Sequence, residues 1–228
     1  MPADLISLWE QVRVPFWISL KVAFCATVFS AALAIPAAWG LARKNGPLPA
    51  VLDAFCALPL ALPPTVLGYY LILLLGRRGL LGPLLARADI NLMFTWQGAV
   101  AAAVVVVFPL VYKSARAAIE QVNPHYEEVA RTLGAPEWRL FLSITLPLAW
   151  RGVFAGLVLA FARGMGEFGA TLMIAGNIPG KTQTLALAIY SAFQAGNDHL
   201  ALLLVLVTSL LCCLALVGAE LLFRRGRC

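Results

Sequence analysis

The chain has 228 residues, 61% of them hydrophobic and only 12% charged. An ordinary globular domain carries about 25% charged residues, so this composition excludes a soluble domain and predicts a polytopic, all-α membrane protein. The net charge of +6 then reports on membrane topology rather than on nucleic-acid binding.

Residues 1–13 form a short amphipathic lead-in carrying Asp4, Glu10 and Arg13. The first apolar run, residues 17–41, is long enough to cross a bilayer. Its AIPAAWGLA stretch resembles a cleavage site only faintly, and the run is too long for a signal-peptide core. It is read as a retained span. After Arg43, Lys44 and a Gly-Pro turn, the second span is expected over residues 51–76, interrupted by Pro59, Pro63 and Pro64. Prolines at membrane depth free backbone groups that protein neighbours or water have to satisfy. The span therefore faces a partner helix or a cavity, or it simply kinks. Arg77, Arg78, Arg87 and Asp89 make a polar loop before the third span, residues 96–112.

Residues 123–147, NPHYEEVARTLGAPEWRLFLSITLP, are the longest polar-rich stretch. Asn123 suits an N-cap and Pro124 the first helical position. Tyr126, Val129, Ala130 and Leu133 make one apolar stripe, and Gly134 supplies a stop. A second helix restarts at Pro136 with Trp138, Phe141, Leu142 and Thr145, and Pro147 is expected to close it. The pair reads as an amphipathic helix-turn-helix on a membrane face, shaped to be gripped from outside.

The fourth span is expected over residues 153–174. Within it, Arg163 and Glu167 are spaced to pair on one helix face. Charges at that depth usually face the bundle interior or a water path. They either line the substrate path or neutralise each other at a helix interface. Gly164, Gly166 and Gly169 permit close packing or local unwinding there. Residues 184–195 are apolar but too short to cross, and read as a re-entrant helix. The last span covers residues 200–223 and ends in Arg224, Arg225 and Arg227.

Five spans put the termini on opposite sides. With the N-terminus outside, the inner face holds ten cations: Arg43, Lys44, Lys113, Arg116, Arg131, Arg139, Arg151, Arg224, Arg225 and Arg227. The outer face holds six: Arg13, Lys21, Arg77, Arg78, Arg87 and Lys181. The positive-inside rule therefore favours an outer N-terminus, a cytoplasmic C-terminus and a cytoplasmic 123–147 loop.

Catalytic signals are missing. GNIPGKT, residues 176–182, is one residue short between its glycines for a phosphate-binding loop and falls on the outer side. No H-E-x-x-H, G-x-S-x-G or C-x-x-C pattern occurs. His125 and His199 lack metal-ligand spacing, and the five cysteines have no framework spacing. Neither a metal, nor a cofactor, nor an ATP site of its own is expected.

Glu128, Ala130, Gly134, Ile144, Leu146 and Pro147 match the E-A-A, three residues, G, nine residues, I-x-L-P pattern of bacterial ABC-importer permeases, with Val129 the one departure. The chain thus resembles that family. The resemblance implies a type I importer permease fold of about five spans plus a coupling helix pair. It implies that Glu128 contacts a separate ATPase, which carries ATP and Mg, and that Gly134 makes the turn between the coupling helices. Three longer stretches, LPLALPPTVLGYY with GRRGLLG, VARTLGAPEWRLFLSITLPL, and AFARGMGEFGAT running into GNIPGKTQT and Ile189-Tyr190, are similar to the molybdate permeases of that family. Sulfate permeases are similar too, with tyrosine and serine typical where this chain has Phe168 and Ala170. The resemblance implies a homodimer in the bacterial inner membrane, lipid around it, two ATPase subunits below and a periplasmic molybdate-binding protein above. Pro63, Pro64, Gly68, Tyr69, Arg163, Glu167, Phe168, Gly169 and Thr171 become the candidates for the translocation path and gate. Molybdate is the expected substrate, with tungstate or sulfate as the alternative. An ion-coupled secondary transporter would favour inverted repeats and a carboxylate relay, and neither is visible. A non-transporting docking subunit is disfavoured by the kinked, charged spans, and a membrane enzyme by the lack of a catalytic cluster.

Overall fold

A computed structural model describes residues 2–225 and is helical throughout its regular structure. Arg227 and the last of the five cysteines, Cys228, lie outside the described residues. Helix α1 (Pro2–Ala42) absorbs Pro15 and Pro36 and joins the expected lead-in and first span into one element.

The second span is not one helix. α2 (Pro47–Ala61) and α3 (Pro64–Leu75) are bent by 114° across residues 62 and 63. Pro63 and Pro64 remove two adjacent N–H donors, and a residue before proline is driven out of the helical region. Leu62 and Pro63 accordingly take extended ψ values of 139°. α4 (Gly82–Arg87) lies in the polar loop. α5 (Trp96–Glu120) starts from Thr95, whose side chain accepts a hydrogen bond from the Gly98 N–H. It runs past residue 112, where the third span was set by its apolar run, because Lys113, Arg116 and Glu120 stay helical through their own polar partners.

The loop folds as α6 (Pro124–Thr132) and α7 (Glu137–Leu140), followed by a π turn (Phe141–Thr145) and α8 (Leu146–Met165). Pro147 does not close the second helix. The chain continues helically from Glu137 to Met165. The Leu146 N–H reaches back five residues to the Phe141 carbonyl, and this wide turn takes up the proline, which cannot fit a regular α-helical interior.

The fourth span also differs from 153–174. α8 stops at Met165, and a separate α9 (Gly169–Ala175) follows a break at residues 166–168. α10 (Leu185–Gln194) is ten residues long and packs on α1 and α11 (Asp198–Arg225). Its Leu185 N–H donates to Ser19 Oγ of α1 at 2.7 Å.

The core joins α1, α5 and α8 through small side chains: Ala26, Ala34 and Ala38 face Ala99, Ala103, Val107 and Ala115, with Ala149, Val153 and Ala160 closing it. Lipid supplies no hydrophobic drive between helices, so close backbone approach is the source of cohesion. Gly152 and Gly156 of α8 are the clearest case. A Cβ on either would run into Ala118 or Ser114 of α5. Outward-facing residues are large and apolar, including Phe24, Phe29 and Leu33 on α1 and Leu202, Leu206, Leu210 and Leu214 on α11. α2 buries none of its residues and is tied to α5 by charge. Asp53 accepts from Tyr112 Oη at 2.9 Å and Lys113 Nζ at 2.7 Å, and pairs with Arg116.

Candidate functional site: a docking loop and a broken span

α6 is built by local chemistry. The Asn123 side chain accepts from the His125 N–H at 3.0 Å, and Pro124 occupies the first turn, where an N–H would be unpaired anyway. At the other end Gly134 adopts φ 77°. The Gly134 N–H donates to the Arg131 carbonyl and the Ala135 N–H to the Ala130 carbonyl, a Schellman stop. Gly134 therefore makes the turn between the two loop helices.

The six motif residues separate into two groups. Glu128 projects outward with 66% of its side chain exposed, in the company of Tyr126, Val129 and Leu133. Trp138 and Leu142 are exposed as well. Ala130 is buried, Ile144 and Leu146 are half-buried, and Pro147 is exposed. One large apolar face of the loop is thus left without a partner in this chain, while the other face is anchored.

The anchor is a group the sequence reading passed over. Glu127, next to Glu128, is 1% exposed. Its Oε1 accepts from Thr145 Oγ1 at 2.7 Å and faces Arg43 Nη2 at 3.1 Å, and Arg131 Nη2 stands 3.8 Å from Oε2. Arg43 Nη2 also donates to the Val122 carbonyl at 3.0 Å. Arg131 donates from Nε and the same Nη2 to Glu137, at 2.7 Å and 3.2 Å, and that carboxylate raises the guanidinium's pKa. Helical register places Glu127 and Ala130, three apart, on one side of α6, and only the packing of the loop makes that side the inner one. Trp39 of α1 stacks on Phe141 of the π turn with centroids 4.7 Å apart, which fastens the same corner.

The second group of predicted residues collects around the broken span. Pro64 and Gly68 of α3 meet Gly169 and Ala170 of α9: a Cβ on Gly68 would lie 3.1 Å from the Ala170 backbone, and one on Gly169 3.1 Å from Pro64 Cβ. Pro63, in the bend before α3, and Tyr69 on α3 are exposed nearby. Arg163 pairs with Glu167 at 2.8 Å, off the direction of an aligned hydrogen bond. Glu167 lies beyond the end of α8, not within it, and is 2% exposed. Its Oε1 accepts from the Ala170 N–H at 3.0 Å, so the carboxylate caps the start of α9. Arg163 remains 38% exposed. Phe168 meets Tyr190 of α10 edge-on at 5.2 Å, and the buried Thr171 hydroxyl has no partner. The charged pair thus bridges a break in the membrane segment, where unwound backbone needs polar partners.

Four long apolar helices, a bent fifth pair and a projecting two-helix loop define a membrane permease with the fold of type I ABC importers. The methionine transporter MetNI in inward-facing conformations superposes with a TM-score of 0.72 at 16% identity, covering 96% of this chain and 97% of that one. A bacterial alginate ABC transporter gives 0.78, also at 16% identity, over 97% and 82%. Residues 31–227 match the family described as binding-protein-dependent transport system inner membrane component, and the chain belongs to that family. It is 45% identical to the molybdenum transport system permease protein ModB of Escherichia coli K12, over 96% of this chain and 95% of that protein. It is 44% identical to ModB of Haemophilus influenzae over 91% and 92%. The sulfate transport system permease protein CysT of E. coli is 38% identical over 82% of this chain and 69% of that protein.

Proposed function

We propose that this chain is the membrane permease of a molybdate importer in the bacterial inner membrane. Two copies form the translocation path. A separate ATPase pair binds ATP and Mg2+ and docks on the 123–147 loop, and a periplasmic molybdate-binding protein delivers the substrate. The observation that carries the reading is the likeness to proteins named as molybdenum permeases, which extends over 96% of this chain. The exposed face of α6 around Glu128 supports the docking role.

Orientation follows from charge. Arg43, Lys113, Arg116 and Arg131 gather at one end of the bundle through Val122, Asp53 and Glu127. Placing that end in the cytoplasm obeys the positive-inside rule and leaves the N-terminus outside. Energetics favour an ATP-driven system. Moving a dianion inward against an interior-negative potential costs about 2.3 kcal/mol per charge per 100 mV, so about 4.6 kcal/mol in all. The Pro63–Tyr69 and Arg163–Thr171 stretches, packed together across α3 and α9, are the parts that open and close around the path. Tungstate shares the chemistry of molybdate, and sulfate is the second reading, favoured by the 38% likeness to the sulfate permease.

The test is ATP hydrolysis and uptake in proteoliposomes holding this chain, its ATPase and its binding protein. Stimulation by binding protein loaded with molybdate is the expected outcome. Stimulation by sulfate alone moves the substrate to the second reading, and no stimulation with no stable complex rejects the importer function.

A further inference from the structure

Glu127 joins three elements that are far apart in sequence. It belongs to α6, whose opposite face is exposed; Arg43 stands just past the end of α1; Thr145 closes the π turn that leads into α8. The carboxylate contacts both at 3.1 Å or less. Arg43 is committed to this corner, since its Nη2 also holds the Val122 carbonyl just before α6 and its Nε is buried without a partner. The π turn matters as well. It is the wide, irregular stretch between α7 and α8, and such turns have less regular bonding than the α-helices on either side.

From this geometry we propose that Glu127 is a positioning residue for energy coupling. It is the rigid tie through which displacement of α6 by the ATPase is carried into α1 and α8, while Glu128 on the outer face makes the contact with the ATPase. This rests on the function proposed above and adds a division of labour between adjacent carboxylates. A buried carboxylate with cationic and hydroxyl partners resists rotation of α6 against the bundle, because any slip strips it of partners in a poorly solvated place. The force on α6 therefore moves the ends of α1 and α8 together. α8 leads directly to the break at residues 166–168, so the same push reaches the α9–α3 contact.

The experiment compares the complete transporter in proteoliposomes with complexes carrying Glu127→Gln, Glu127→Ala or Thr145→Val. Three quantities are read: ATPase bound per permease, hydrolysis stimulated by loaded binding protein, and oxyanion imported per ATP. Glu127→Gln preserves size and can still accept from Thr145, so it guards against simple misfolding. The expected result is normal ATPase binding in all three. Oxyanion imported per ATP falls about 10-fold in Glu127→Ala, and less in Glu127→Gln and Thr145→Val. An unchanged import-to-ATP ratio in Glu127→Ala overturns the proposal. So does loss of ATPase binding in Glu127→Gln, which would make the residue part of the docking face. A wild-type complex without stimulated uptake rejects the importer function, and the tie falls with it.

Discussion

Glu128→Ala separates docking from folding. Within this chain Glu128 has one weak partner, His125 Nδ1 at 3.7 Å, and two-thirds of its side chain is exposed. Removing it costs the isolated permease at most a few tenths of a kcal/mol, the size of an exposed i,i+3 pair. Under the docking proposed above, the ATPase covers the same carboxylate in the assembled transporter. Truncating one partner of a covered, hydrogen-bonded charge pair typically costs about 2–5 kcal/mol, much of it from the charge left behind. Even the lower figure weakens ATPase association by about 30-fold. The measurement is equilibrium binding of the purified ATPase to permease in nanodiscs, with thermal unfolding of the free permease in parallel. The expected result is an unchanged unfolding temperature with binding weakened by at least that factor and uptake reduced. Unchanged binding together with unchanged uptake would refute the docking role of Glu128. A fall in unfolding temperature would show that the loop face is structural.

Other outcomes follow from packing and charge. Gly156→Val forces a branched side chain against Ser114 of α5 and should destabilise the permease by about 1–3 kcal/mol, read as a lower thermal midpoint in detergent, whereas substitution at exposed Gly180 to Asn should do far less. Gly68→Leu drives a side chain into Met173 and the Ala170 backbone; it should part α3 from α9 and lower both midpoint and uptake. Arg163→Ala leaves the buried Glu167 without its cation and should lower the thermal midpoint. Arg163→Ala with Glu167→Gln should recover most of that stability, because the amide oxygen can still cap α9. If uptake recovers along with it the pair is structural, and if uptake stays lost Arg163 acts on the path.

The membrane class and the two-helix form of the 123–147 loop were legible in the sequence because both depend on local properties. Apolar runs exceed the bilayer thickness whatever they pack against, and Asn123, Pro124 and Gly134 act on backbone groups only a few residues away. The bend at Pro63 was legible as an interruption, but its 114° angle depends on α9 receiving α3. Pro147 misled in the other direction: a proline usually ends a helix, yet the π turn before it lets the helix run on. The break in the fourth span likewise falls at residues 166–168, where the Glu167 carboxylate can serve both α9 and Arg163.

Sequence by itself thus determined that this chain is a polytopic membrane protein and that residues 123–147 fold as a pair of short helices, since composition and short-range capping do not need the fold. Tertiary structure alone decided which of two adjacent glutamates is buried. Glu127 and Glu128 are chemically identical neighbours, and a helix turns about 100° between them. Only the arrival of Arg43 from α1 and Thr145 from before α8 makes one direction an interior ion cluster and leaves the other facing out.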